Sequence, residues 1–387
     1  MGGLEALLAL RHLAEERILI ELLAPQRDFV YRPLSVAEPF GHGRAHRFDL
    51  AALAEERGAR FRSDALQSVD PDAHRVRTRG GDEIPYDALI VACGAAARES
   101  IPGALTFWGM SDRDAFHELL GGLESTEPGE IVFALPAGPG WPLPLYELAL
   151  MTRLHLASRG FDQVGVTIAT HESAPLELFG AGASEMVADL LTERGIGLCA
   201  GCRPVAVTDD GLALDPGGHL VADRVVTVPR LQGRSIPGVP KDDTGFIPTD
   251  RHGLVEGLED VYAAGDGTNF PVKQGGLAAQ QADAVAEELA AWSGAPVEPE
   301  PFRPVLHGLL LTGAEPAFLR TKLDETAAGE SAIASHALWW PPGKIAGKYL
   351  APHLAAIANT ELEPRLEREA PSVAVDVELP DRAPSVH

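Results

Sequence analysis

Basic residues, cysteines and long apolar runs are what this chain has least of. Its 387 residues carry 32 Lys and Arg against 56 Asp and Glu, a formal net charge of -24. A nucleic-acid partner needs a basic surface to neutralise phosphates, so the composition argues against that class. The acidity bears on solubility and leaves the fold open. The cysteines are Cys93, Cys199 and Cys202. That is no disulfide framework, and a reducing cytoplasm is the expected compartment. No apolar run reaches the length of a membrane span, and the first residues lack the basic stretch and cleavage site of a secretory leader. The expectation is a cytoplasmic protein, with peripheral contact at the inner face of the membrane left open.

What is present is ordinary for a globular chain: 45% hydrophobic and 23% charged residues, with length enough for two or three domains. Helical spacing predicts a helix over Leu4–Glu16, and Ile18–Leu23 suits a buried strand. A helix over Asp49–Gly58, a strand pair with a Gly80-Gly81 turn, and a buried strand over Ala88–Ala92 follow. A second cycle runs through Ile131–Leu135, a helix near Leu145–Ser158, a strand at Gly165–Thr170, a helix at Ala183–Gly195 and a strand at Arg224–Val228. Strands alternating with helices predict parallel sheets flanked by helices, here twice over. The tail from Ser372, rich in Pro, Val and acids, is expected to be disordered.

The most telling stretch is Val261-Tyr262-Ala263-Ala264-Gly265-Asp266-Gly267-Thr268, followed by Lys273-Gln274-Gly275-Gly276 and the small residues of a helix start. An acid on a tight turn can hydrogen-bond a sugar-alcohol hydroxyl, glycines permit close backbone approach, and a helix N-terminus stabilises negative charge. Two further stretches agree with it. Asp28-Phe29-Val30-Tyr31-Arg32-Pro33-Leu34 follows the first predicted strand, and Leu89-Ile90-Val91-Ala92-Cys93-Gly94-Ala95 precedes Ile101-Pro102-Gly103.

In this order, over Met1–Trp292, the motifs resemble those of the FAD-dependent pyridine nucleotide-disulfide oxidoreductases. The branch they look most like holds type II NADH:quinone oxidoreductases, sulfide:quinone oxidoreductases and flavocytochrome c sulfide dehydrogenases. The resemblance implies an α/β fold of two Rossmann-like, three-layer domains, one inserted in the other, plus a C-terminal cap. The implied bounds are 1–103 and 237–295 for the FAD-binding domain, 104–236 for the inserted NAD(P)-binding-like domain, 296–371 for the cap and 372–387 for the tail. It further implies that Gly3, Tyr31, Arg32, Pro33, Gly94, Gly265, Asp266, Lys273, Gln274 and Gly275 line FAD. Electrons would pass from a small donor, NAD(P)H by family default, to a quinone-like acceptor, with the oligomeric state open. A sulfide-type donor and a flavin-free binding relative are the alternatives.

Departures from the pattern shape these expectations. Only Gly3 of the first Gly-x-Gly-x-x-Gly has a counterpart, so the first strand is missing from the pattern, Met1 is expected not to be the functional start, and weak flavin binding by the chain as written follows. Ala24 stands where a ribose-binding acid is usual. In the second fingerprint only Gly140 is kept, with Pro142 and Leu145 at the other glycine places, which weakens a pyrophosphate site. Trp141 occupies the neighbourhood of a redox cysteine. Cys199-Ala200-Gly201-Cys202 admits a structural, a redox or a metal reading, with no metal expected, and Cys93 is expected to be a small core residue. The segment Leu338–Leu350, with two tryptophans and two lysines, could cap the flavin domain or meet quinone or lipid headgroups.

Overall fold

The computed structural model describes residues 1–124, 129–323 and 328–357, with the side chains of 328–330 left aside. The expected disordered tail lies outside these residues. Helix α1 spans Gly2–Ala14, α2 Leu50–Glu56, α3 Arg113–Glu124, α4 Leu143–Ser158, α5 Ala181–Glu193, α6 Gly275–Trp292 and α7 Leu350–Ile357. Asp49 starts α2 by accepting a hydrogen bond from the Ala52 amide at 3.0 Å, the usual use of a short acid at a helix head.

One layer system is a five-stranded, all-parallel sheet in the order Leu105–Thr106, Arg224–Thr227, Glu130–Ala134, Gly165–Ala169, Ile196–Cys199. Its central strands read as unbroken aliphatic runs because helices cover the sheet. Phe116 on α3, Phe133 on the sheet and Leu145, Tyr146 and Leu148 on α4 are fully buried in that core. A three-stranded antiparallel meander, Arg203–Thr208, Gly211–Asp215 and Gly218–Val221, follows the sheet's edge strand in the chain.

The other layer system is built from two parallel pairs, Glu21–Ala24 with Arg60–Ser63 and Leu89–Val91 with Val261–Ala263. Among the described residues no strand joins the pairs. A meander of Leu66–Asp70, Arg75–Thr78 and Glu83–Pro85 accompanies them. The long-range contact that organises this half is α1 against α6. Ala6 and Ala9 on one helix and Ala282 and Ala286 on the other are almost fully buried, so the helices meet through methyl groups and their backbones come close. The antiparallel strands Ala96–Arg98 and Arg230–Gln232 tie the two systems together.

Beyond α6, the strands Val305–Leu310, Ala317–Leu323 and Ala328–Ala334 form a three-stranded antiparallel sheet. The following segment crosses back over both halves. Lys344 is buried and pairs with Glu147 of α4, and its Nζ also donates to the Leu309 carbonyl at 3.0 Å. Lys344 is therefore not part of a headgroup-facing surface: a paired ammonium inside the protein has replaced solvent with a carboxylate and a carbonyl. Trp339 packs between His307 and Phe318, whereas Trp340 is 81% exposed. A second correction concerns Cys93. The strand ends at Val91, and Cys93 lies beyond it, exposed and unbonded, because the chain has already left the sheet for the Gly94 turn.

Candidate cofactor site

Strands Leu89–Val91 and Val261–Ala263 run parallel and end side by side, with the Ala264 amide donating to the Val91 carbonyl at 3.2 Å. Each then breaks into a glycine turn. Gly94 has φ 65° and Gly265 φ 89°, conformations that a side chain would strain. The turns touch: a Cβ added at Gly267 would lie 3.3 Å from the Gly94 carbonyl oxygen. Asp266 sits between them, partly exposed. Among the described residues no donor reaches its carboxylate in hydrogen-bond contact. Burial pushes its pKa up, and Lys273, the Met1 amino group and Arg32 pull it down.

The turn is held from behind by a residue that motif reading passed over. Gln281, buried on α6, accepts from the Gly265 amide at 2.7 Å, and its amide group donates to Thr268 Oγ1 at 3.2 Å. Thr268 Oγ1 in turn donates to the Gly265 carbonyl at 3.0 Å. The available signal was a glutamine on the alanine-rich face of a helix, where only a satisfied polar group belongs.

Helix α6 aims its N-terminus at the same place. Gln274 caps it, accepting from the Leu277 amide at 2.8 Å and donating to the His307 carbonyl at 3.1 Å. The amides of Gly275 and Gly276 have no backbone acceptor among the described residues, and they carry the positive end of the helix dipole. Lys273 is 4% exposed, with Nζ 3.7 Å from the centre of the Phe246 ring and a hydrogen bond to the Thr268 carbonyl. Burial lowers its pKa to about 8 against the opposing pull of Asp266 and Asp242. Its main-chain amide donates to the Gly140 carbonyl at 3.1 Å, so the second fingerprint loop is laced onto the first site.

The remaining expected residues divide. Gly3 lies in α1 where an added Cβ would come 3.4 Å from Ala92, and Gly2 packs as closely on the carbonyls of Ala264 and Ala278. Arg32 is exposed, stacks 5.1 Å over Trp108 and is within electrostatic reach of Asp266. Tyr31 is buried with Leu4, Leu34 and Ile345, the last of which also packs against Gly275, and burial pushes its phenol pKa up. Pro33 opens the short 3-10 helix Arg32–Phe40, where its missing amide costs nothing.

In the second sheet the same kind of turn is filled in. The loop between Glu130–Ala134 and α4 contains Pro136, Pro139 and Pro142, and Pro144 stands in the helix's first turn. Leu145 donates its amide to the Pro142 carbonyl at 3.0 Å, leaving few free donors for an anion. Leu145 is also fully buried where a glycine would let a ligand approach. Just past strand Gly165–Ala169, where a ribose-binding acid is sited in such folds, stands Glu172. It is 4% exposed, and its Oε2 accepts from Tyr146 Oη at 2.7 Å and Thr170 Oγ1 at 2.9 Å, while Oε1 is buried with no hydrogen-bond partner among the described residues; burial pushes its pKa up. Cys199 and Cys202 are bonded to each other at the edge of this sheet, and the Cys202 amide is tied to the Thr170 carbonyl. Among the described residues no group of three or more His, Cys, Asp and Glu could hold a metal ion.

These features test well for a flavin dinucleotide at the first site. A Cβ added at Gly94 would meet nothing within 4 Å, which leaves room for a ligand at that turn, although Ile345 and Met1 pack against Gly275; among the described residues the Asp266 carboxylate has no hydrogen-bond donor and the amides of Gly275 and Gly276 no acceptor. They test poorly for a nicotinamide dinucleotide at the second.

Together the two sheet systems define a protein with two dinucleotide-type folds. Residues 147–286 match the family described as pyridine nucleotide-disulphide oxidoreductase. A sulfide-quinone reductase from Aquifex aeolicus is 30% identical over 237 residues, 58% of this chain and 49% of that protein. The chain thus spans about half the length of this curated relative. A solved sulfide:quinone oxidoreductase from Aquifex aeolicus superposes with a TM-score of 0.75 at 21% identity, covering 86% of this chain and 85% of that one. A ferredoxin reductase from Rhodopseudomonas palustris gives 0.62 at 18% identity, covering 82% and 79%.

Proposed function

We propose that this chain is an FAD-dependent oxidoreductase that takes electrons from a small donor and delivers them to a quinone-like acceptor. The observation that carries the reading is the convergence of Asp266, the Gly94 and Gly265 turns and the uncapped amides of Gly275 and Gly276 on one place. FAD, when bound, supplies the two-electron redox chemistry. Asp266 would hold a hydroxyl of the cofactor's polyol chain. The head of α6 would stabilise negative charge, and Lys273, paired electrostatically with Asp266, would add a cation whose charge is adjustable near neutral pH.

For the donor, the reading favours a small non-nucleotide reductant of the sulfide type over NAD(P)H. Support comes from the proline-filled loop, whose Gly140 carbonyl is committed to Lys273, and from Leu145, fully buried where a glycine would let a ligand approach. The curated relative is a sulfide-quinone reductase, which agrees. The acceptor follows from the same likeness. No helix among the described residues is long and apolar enough to cross a membrane, so a lipid-borne quinone would be met from the surface.

Absorbance of the purified protein between about 350 and 500 nm, the range of a bound flavin, tests the reading directly. A yellow protein bleached anaerobically by sulfide and reoxidised by a soluble quinone is the expected result. A colourless protein that takes up no added FAD would leave a flavin-free binding relative as the reading.

A further inference from the structure

A cleft of about 330 Å³ lies at the junction of α1, the end of α2 and the head of α7, lined by Leu8, Arg11, His12, Arg57, Tyr349 and His353. It is separate from the cofactor site: Arg11 is eight residues from Gly3, about 12 Å along α1 at 1.5 Å per residue. In a chain of net charge -24 it gathers two arginines and two histidines. The carboxylates near it, Glu15 and Glu56, stand on its rim with side chains 75% and 53% exposed. Ion pairs that exposed contribute little to holding the cations.

The hydrogen bonding shows what is wanted there. Arg57 Nη2 lies 2.8 Å from His353 Nδ1, and a guanidinium can only donate, so Nδ1 accepts. Burial and the charge of Arg57 lower the His353 pKa, so the ring is neutral and its proton is on Nε2. That Nε2–H is buried without a hydrogen-bond partner, on a side chain only 9% exposed. The nearest carboxylate oxygen, Glu56 Oε2, is 3.9 Å away, too far to accept. Arg57 Nε is a second buried donor without an acceptor. Arg11 is held in place by donating to the carbonyls of Arg57 at 2.8 Å and Gly58 at 3.2 Å, and to that of Glu15. Arg57 also donates from Nη2 to the exposed Glu56 Oε1 at 3.2 Å, but its Nε and the Nε2–H of His353, beside the fixed guanidinium of Arg11, lack one thing, an acceptor with several oxygens.

We propose that this cleft binds a phosphate-type oxyanion, carried on a small molecule or on a lipid headgroup. Leu8 supplies an apolar wall, and the rings of His12 and Tyr349, 5.3 Å apart, flank it, so a group attached to the phosphate has a surface to lie on. The site depends on α7 being docked. Glu5, fully buried on α1, accepts from the amides of Tyr349 at 2.7 Å and Leu350 at 2.9 Å, which fixes the two cleft residues contributed by that segment.

The test follows the imidazole resonances of the full-length protein by NMR during titration with inorganic phosphate at constant ionic strength. The His353 signal is assigned by its absence in His353→Gln. Saturable movement of that signal is expected, with affinity reduced at least tenfold in Arg57→Gln and in Arg11→Gln while circular dichroism is unchanged. Should one arginine variant fail to fold, the other carries the test. Vesicles of phosphatidic acid that displace inorganic phosphate, where phosphatidylcholine vesicles do not, would identify the source as a headgroup. Saturation by phosphate without displacement would identify a soluble phosphate compound. A response that is linear, equalled by chloride, or undiminished in both arginine variants overturns the proposal.

Discussion

The main-chain amide of Lys273 donates to the carbonyl oxygen of Gly140 at 3.1 Å. The bond fastens the loop that would cradle a nicotinamide dinucleotide in one sheet system to the segment that heads α6 in the other. A ligand wedged between them would have to break it, and the flanking prolines offer no replacement donors. The expected roles of the two sites therefore diverge, and the following predictions separate them.

Asp266→Ala should strip flavin from the protein while leaving its fold intact, because the residue sits on a turn that Gln281 and Thr268 brace without it. Asp266→Asn, which keeps one acceptor oxygen, should retain more. Flavin content by absorbance after gel filtration, with circular dichroism as the fold control, decides it. Full occupancy in the alanine variant would falsify the assignment of Asp266 to the cofactor.

Mixing flavin-loaded protein anaerobically with NADH or NADPH should bleach it slowly or not at all, since the second loop is short of donors and Leu145 is buried at a glycine place. Stopped-flow absorbance measures this. Fast bleaching at micromolar nucleotide would show that the loop opens.

Replacing Cys199 and Cys202 together by serine should leave turnover with the true donor unchanged, because both lie at the edge of the second sheet, bonded to each other. A hundredfold fall in rate, about 2.7 kcal/mol of barrier, would restore a redox role to the pair.

Lys344→Met should destabilise the fold by about 3–5 kcal/mol by leaving Glu147 buried and unpaired. The double variant Lys344→Met with Glu147→Gln should recover most of that, since glutamine can still accept from the Leu311 amide as Glu147 does at 2.8 Å. Denaturant melts measure both. Equal stability of single and double variants would mean that the pair contributes nothing specific.

Stability should fall as pH rises toward the alkaline side, with Asp283 as one cause. Its carboxyl pKa is pushed up to about 8, first by burial and then by Glu5, with Glu287 adding and Lys348 opposing. A raised acid pKa favours the folded state below the unfolded value, about 3.9, and that advantage is lost as pH climbs through the folded value. Asp283→Asn should flatten the melting-temperature profile across this window and raise it at the upper end. An unchanged slope would assign the effect to other groups.

Alternation of aliphatic runs with helical spacing placed most of the helices and parallel strands, because period and turn chemistry are local properties, but it passed over α3, α7 and the strand Leu105–Thr106. Gly265, Asp266 and the Lys273–Gly275 run were legible for the same reason, as a turn and a helix head written consecutively. Cys93 was misplaced by one such reading, since the end of a strand depends on its partner and not on hydrophobicity alone.

What lay beyond the sequence were the pairings between distant segments. Nothing local marks Gln281 as the brace of Gly265, Lys344 as the partner of Glu147, or Tyr146 as a donor to Glu172. The cleft of Arg11, Arg57 and His353 joins three helices that are far apart in the chain. Composition and spacing determined most of the elements and singled out the Gly265–Asp266 turn as the one to test for a flavin. Whether a buried polar group is satisfied by the protein or left for a ligand is a property of its neighbours in space, and only the packed tertiary structure decided that.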